Sequence, residues 1–209
     1  METLDRYLAN LASAQPVPGG GSAAAIVAAC GAALVGMVAR ICERNPKYAG
    51  YADLTERIAD ASDRLRQRLE TARERDERAF ARVVAAQGLP KETAAEKAAR
   101  ANALESALRD AAEAPLAAAA LALDVVRFAA QLLVVPNKHL ASDVGCAAEF
   151  GSAALTACAY NVRVNHRYMR DEATIADQAA ALVRYESEGS ELLTRVRRHV
   201  REALAGKTP

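Results

Sequence analysis

Between Ser22 and Ala39 the chain runs eighteen residues without a charged side chain, and it enters that run through Pro16-Val17-Pro18-Gly19-Gly20-Gly21. The run is rich in alanine, glycine and valine, which predicts a buried helix over 22–43, with Gly31, Ala32 and Gly36 leaving room for a close neighbour. Asn45-Pro46 ends it, because the residue before proline is driven out of the helical region. At the other end two prolines stiffen the approach, three glycines strip the turn of side chains, and Ser22 is placed to cap the helix. Such a turn offers bare backbone N–H groups at the positive end of a helix dipole, a setting for an anion or a polar heterocycle. It has neither the lysine of a phosphate-binding loop nor a preceding strand, which argues against a nucleotide site. The alternative is a tight turn between two closely packed helices. The uncharged run only reaches the edge of membrane-spanning length and no second segment resembles a span, so no membrane is expected.

A chain of 209 residues with 52% hydrophobic side chains is enough for one domain, 1–209, with a single core. The net charge of +1 argues against nucleic acid as a partner, and the absence of tryptophan leaves little for base stacking. Cys30, Cys42, Cys146 and Cys158 form no Cys-x-x-Cys pair, and no secretory signal precedes them. They read as small core side chains in a cytoplasmic, reducing compartment. His139, His166 and His199 lack ligand spacing, so no metal site is expected.

The rest reads as helix: 3–13 with Leu4, Tyr7, Leu8 and Leu11 on one face; about 53–87; a helix opened by a Thr93/Glu96 capping box and begun again or kinked at Pro115 before running to Val134; about 142–168; and about 174–205. Long segments with short connections predict an all-α antiparallel bundle of about six helices, with 22–43 also suited to a dimer face.

Polar residues stand out where this periodicity wants apolar ones. Asp76 lies four residues from both Ala72 and Phe80 on the stripe Leu54, Ile58, Ala61, Leu65, Leu69, Ala72, Phe80, Val83. A carboxylate there either pairs with a cation such as Arg73 or Arg75, or loses solvation and has its pKa raised, a state useful for proton transfer. Asp143 heads a face with Ala147, Phe150 and Ala154, and the competing reading makes Ser142 or Asp143 an N-cap. Asn161 and Asn165 sit one turn apart, either in a buried hydrogen-bonded seam or at a site. Asn161 follows Asp143 by eighteen residues, roughly 27 Å along one helix, so the two meet only if two copies pack antiparallel. His139, four residues before Asp143, is a weaker candidate for a proton relay with it.

Taken together, Pro16 to Ser22, Asp76 with Ala79-Phe80, Gly88 to Thr93, Glu96-Lys97, Asn137, Ser142-Asp143 and Asn161-Val162-x-Val164-Asn165 resemble the formiminotetrahydrofolate cyclodeaminase / methenyltetrahydrofolate cyclohydrolase family over nearly the whole chain. The resemblance implies an all-helical homodimer with a folate site at or near the subunit interface, and no metal or redox cofactor. It implies Asp143 and Asp76 as catalytic residues, with Pro18, Gly19, Gly20, Gly21, Ser22, Asn137, Ser142, Asn161 and Asn165 around a tetrahydrofolate substrate. Two departures from the family pattern fall near that site: Cys42-Glu43-Arg44-Asn45 where relatives carry Thr-x-Gly-Lys/Arg, and Pro136-Asn137 where they carry Gly-Asn. Because the chain stands alone, hydrolysis of 5,10-methenyltetrahydrofolate to 10-formyltetrahydrofolate is the first expectation. Cyclodeamination of formiminotetrahydrofolate is the second, and a non-catalytic or recruited helical dimer of the same fold is the rival from another class.

Overall fold

The structure is a computed structural model that describes residues 3–206. Six α-helices carry the fold: α1 (Leu4–Leu11), α2 (Gly20–Glu43), α3 (Ala52–Gln87), α4 (Ala94–Gln131), α5 (Ala141–His166) and α6 (Glu172–Leu204). Short 3-10 turns at Pro46–Tyr51, Leu132–Val134 and Lys138–Leu140 join them, and no strand occurs among the described residues.

Local signals set most boundaries. Thr93 and Glu96 form the expected reciprocal capping box, the Thr93 side chain accepting from Glu96 N while the Glu96 carboxylate accepts from Thr93 N. Asp171 caps α6 by accepting from Thr174 N. Pro115 neither starts nor ends a helix: α4 passes through it without interruption, with Pro115 itself buried in the core. Packing on both sides holds the segment helical across the lost N–H donor.

α2, α4 and α5 make the centre, and small residues let them touch. A Cβ added at Gly31 of α2 would meet Val125 of α4 at 2.8 Å and the Ala147 carbonyl of α5 at 3.1 Å. Gly151 of α5 lies just as close to the Ala122 carbonyl of α4. Gly20 lies opposite Asn161 and Gly31 opposite Ala147 and Phe150, so α2 and α5 run antiparallel. Ala28, Ala32, Ala119, Ala122, Ala147 and Ala159 are fully buried between these helices.

Three expectations are corrected. The apolar face of α1 is not a core face: only Tyr7 is buried, and Leu4 and Leu8 are exposed. Cys42 and Cys158 are core thiols, but Cys30 and Cys146 are exposed. Two segments, Gly20–Glu43 and Ala94–Val134, are long and apolar enough to cross a membrane by length and composition, where one was expected. More than half of the apolar window of each is buried in the bundle, as befits core helices.

Candidate active site

The glycine turn opens α2 as expected, but with Gly19 rather than Ser22 at the N-cap. Ser22 lies three residues further in, fully buried, and its hydroxyl donates to Glu77 Oε1 at 2.6 Å. With its proton committed there, Ser22 Oγ accepts from the Tyr7 hydroxyl at 2.9 Å. The hydroxyl is therefore turned into the protein, away from any ligand. The Ser22 backbone N–H serves the Asp76 carboxylate as a hydrogen-bond donor.

Asp76 reaches this helix start from α3. A Cβ on Gly21 would lie 2.6 Å from Asp76 Cγ, an impossible contact, so glycine at 21 is what admits the carboxylate. None of the three glycines has a positive φ. Close approach, not backbone freedom, is the requirement here, and it falls on Gly21 alone: a Cβ on Gly19 meets nothing within 4 Å.

Arg73 does not neutralise Asp76 but bonds Glu77 at 3.1 Å. Burial raises the Asp76 pKa to about 6, the Ser22 N–H pulls it down, and the neighbouring Glu77 charge raises it again. Cys158 on α5 stands close enough to feel the same charge; its thiol is pushed up to about 12, chiefly by burial, and stays neutral.

Around Asp76 lies a pocket of about 260 Å³ lined by Gly19, Gly20, Gly21, Phe80, Asn161 and Asn165, with Pro16 and Val17 at one edge and Ala111 and Val164 at another. Both asparagines spend their amide N–H groups on carbonyls: Asn161 on Ala157 O at 2.8 Å, Asn165 on Ala111 O at 2.9 Å and Asn161 O at 2.8 Å. Those carbonyl partners fix the amide orientation and leave each Oδ1 without a protein donor among the described residues. Phe80 is 41% exposed and forms a lip of the pocket, while Ala79 takes the buried stripe position. The Val17–Pro18 bond is cis, and Pro18 is not among the residues that line the pocket.

The second cluster of expected residues lies elsewhere in the chain. Leu140, not Ser142 or Asp143, is the N-cap of α5, and it makes no side-chain cap bond. Asp143 is half-buried in the first turn and Ser142 is exposed beside a separate groove of about 470 Å³ with Cys146, Phe150, Arg197 and Arg201. Asn137 tucks under the end of α2, its amide 3.5 Å from Cys42 Sγ. His139 is exposed and makes no hydrogen bond to Asp143 among the described residues. No group of three or more His, Cys, Asp or Glu side chains suited to a metal ion occurs among the described residues.

Tyr7 and Glu77 are site neighbours that the sequence does not single out, and Arg73 stands out there only as a partner for Asp76. By periodicity Tyr7 belongs to a core face, and Glu77 is one more carboxylate on a charged helix. Only the placement of Ser22 inside the helix start makes them visible.

A helical bundle whose glycine-lined helix start cradles a desolvated carboxylate defines a small-molecule site of the acid–base kind. The sequence profile described as Formiminotransferase-cyclodeaminase matches residues 3–183, and the chain belongs to that family. It is 36% identical over 195 residues to a methenyltetrahydrofolate cyclohydrolase of Methylorubrum extorquens, covering 93% of this chain and 94% of the relative. To the formimidoyltransferase-cyclodeaminase of Mus musculus it is 30% identical over 81% of its own length, but spans only 31% of that larger protein. Its fold matches the crystal structure of formiminotetrahydrofolate cyclodeaminase from Thermotoga maritima with a TM-score of 0.88 at 27% identity, covering 97% and 98% of the two chains.

Proposed function

We propose that this protein hydrolyses 5,10-methenyltetrahydrofolate to 10-formyltetrahydrofolate, acting as a cytoplasmic homodimer with no cofactor beyond its folate substrate. The observation that carries the reading is Asp76: a carboxylate with its pKa near 6, held against a helix N-terminus in a pocket edged by two free amide oxygens.

The substrate's reacting carbon is a cationic amidinium bridging N5 and N10. Water adds to it, and a base takes one water proton as the carbon becomes tetrahedral. The adduct then collapses with N5 leaving and taking up a proton, so the water oxygen becomes the formyl oxygen on N10 and one proton is released overall. Near neutral pH Asp76 is largely ionised, so it attracts the amidinium and takes up a proton, yet its raised pKa lets it give that proton back.

The first-turn N–H groups of α2 at Gly20 and Gly21 have no acceptor within the helix and suit a ring oxygen or a developing negative charge. Asn161 and Asn165 offer Oδ1 acceptors to the N–H groups of the bicyclic ring.

A pocket of about 260 Å³ takes the ring system but not the whole of a folate. We therefore assign the remainder of the site, with Asp143, Ser142 and Asn137, to a second copy packed antiparallel. Asp143 supplies the second acid–base group, and Asp76 orients the ring and carries protons. Ser22 acts there through its backbone N–H.

The test is the loss of near-ultraviolet absorbance of 5,10-methenyltetrahydrofolate on mixing with the protein. Acceleration by the unmutated chain, and loss of that acceleration in Asp76→Asn, is the expected result; equal decay with and without protein overturns it. The fold match to a cyclodeaminase over almost the full length favours one second reading, ring closure of 5-formiminotetrahydrofolate with loss of ammonia. Ammonia release from that substrate separates the two.

A further inference from the structure

Tyr7 is the only buried residue of α1, and its hydroxyl leads through α2 toward Asp76. The Tyr7 hydroxyl donates to Ser22 Oγ at 2.9 Å, Ser22 Oγ donates to Glu77 Oε1 at 2.6 Å, and Arg73 closes the chain on the same Glu77 oxygen at 3.1 Å. The Arg73 guanidinium also lies over the Tyr7 ring, 5.4 Å from its centroid. Four side chains from three helices thus form one chain through a Ser22 hydroxyl with no exposed surface. A fully buried hydroxyl bonded to a carboxylate has one geometry, which fixes the position of its own backbone. That backbone carries the N–H that Asp76 accepts, one residue after the glycine whose Cα abuts the same carboxylate.

We propose that Tyr7, Ser22 and Glu77 form a single positioning unit that holds the start of α2 in register with Asp76, and that α1 belongs to the active site through this unit. None of the three touches substrate; they act through Asp76. The catalytic consequence rests on the reaction proposed above, whereas the positioning itself does not.

The surroundings of Asp76 make the unit testable. From α3 it faces Glu77, with Arg73 beyond; from α1, the Tyr7 phenol, which burial keeps neutral; from α2, only backbone; from α4, Ala111; from α5, the neutral Cys158 thiol and two asparagines. Among the described residues Glu77 is therefore the one negative neighbour, and the Ser22 N–H is the one hydrogen-bond donor that lowers the proton affinity of Asp76. Removing the charge and loosening the donor push in opposite directions.

The measurement is the carbon-13 carboxyl titration of Asp76 in the full chain without substrate, its signal assigned by its loss in Asp76→Asn. Glu77→Gln keeps a hydrogen-bond acceptor for Ser22 but deletes the charge, so the midpoint falls by about 0.5–1 pH unit. Ser22→Ala removes the tie to Tyr7 and Glu77, the backbone N–H backs away, and the midpoint rises. Tyr7→Phe does the same more weakly and serves in its place if Ser22→Ala does not fold. In the folate assay Tyr7→Phe lowers kcat about 3- to 10-fold, and the acid limb of its rate profile moves with the titration.

Midpoints that stay at the wild-type value, or that move in the same direction in Glu77→Gln and Ser22→Ala, overturn the unit. Opposed midpoint shifts in proteins that do not accelerate folate turnover would sustain the unit and refute the proposed reaction instead.

Discussion

The pocket at the start of α2 and the segment at the start of α5 carry the two halves of the expected site, and they differ in how complete each is. At the first, Asp76, Gly21, Ser22, Asn161 and Asn165 come from three helices, and the buried groups are satisfied within one chain. At the second, Asp143 is half-buried without a hydrogen bond among the described residues, Ser142 and His139 face solvent, and Phe150 is 39% exposed beside them. Both are helix N-termini with an acidic residue nearby. One is an enclosed pocket, the other an open groove that α6 lines on one side. A helix start becomes a site when another element brings a group to face it, and under the proposed function a second copy would supply that element for α5.

Inactivating each region separately tests whether the two act together. Asp76→Asn and Asp143→Asn are each expected to lower the rate of methenyltetrahydrofolate hydrolysis by at least about 100-fold. If the α5 segment serves a neighbouring subunit, co-refolding the two variants restores activity to about a quarter of wild type, since half the dimers are mixed and each holds one intact site. No recovery, with both variants inactive, would mean that the two aspartates act from the same subunit. Full activity in Asp143→Asn would confine the chemistry to the first pocket.

Next in size is the steric requirement at position 21. Gly21→Ala forces a methyl into the Asp76 carboxylate and is expected to cost about 1–3 kcal/mol of stability along with most of the activity. Gly19→Ala meets nothing and should change stability by less than about 1 kcal/mol. Thermal melts and initial rates of the two variants check the contrast, and equal effects would mean that the turn matters as a flexible loop, not as a seat for the carboxylate.

The helices are legible in the sequence because their signals are local. The capping box at Thr93, the break at Asn45-Pro46 and the glycine after α3 all act within a few residues, and the boundaries of α2, α3, α5 and α6 fall within two residues of expectation. Asp76 is legible for a related reason: a carboxylate on an apolar stripe is an anomaly of periodicity. What periodicity cannot carry is the identity of the element that covers a face. Leu4 and Leu8 obey the same helical periodicity as Ile58 and Leu65 and yet stay exposed, because among the described residues α1 is buried only at Tyr7. Ser22 misleads for the complementary reason. A serine after three glycines looks like a cap, and only the long-range partners Tyr7 and Glu77, 15 and 55 residues away, turn it inward.

The smallest expected effect, and the most specific to the first pocket, is the dependence of stability on pH. The native state holds a proton on Asp76 up to about pH 6, whereas an ordinary aspartate in the unfolded chain releases it near 3.8. Between those values the folded protein binds more protons than the unfolded one, so this group's contribution falls as pH rises and its full penalty is present above pH 6. Asp76→Asn removes the penalty while its amide oxygen still accepts from Ser22 N. The variant should therefore be more stable than wild type at pH 7.5, on the order of 1–2 kcal/mol, with the difference closing toward pH 4. Denaturant melts of wild type and Asp76→Asn at pH 4 and 7.5 measure the difference. A stabilised but inactive Asp76→Asn would show that the pocket keeps its carboxylate for chemistry and at the expense of the fold; a destabilised one would make Asp76 a structural tie between α2 and α3.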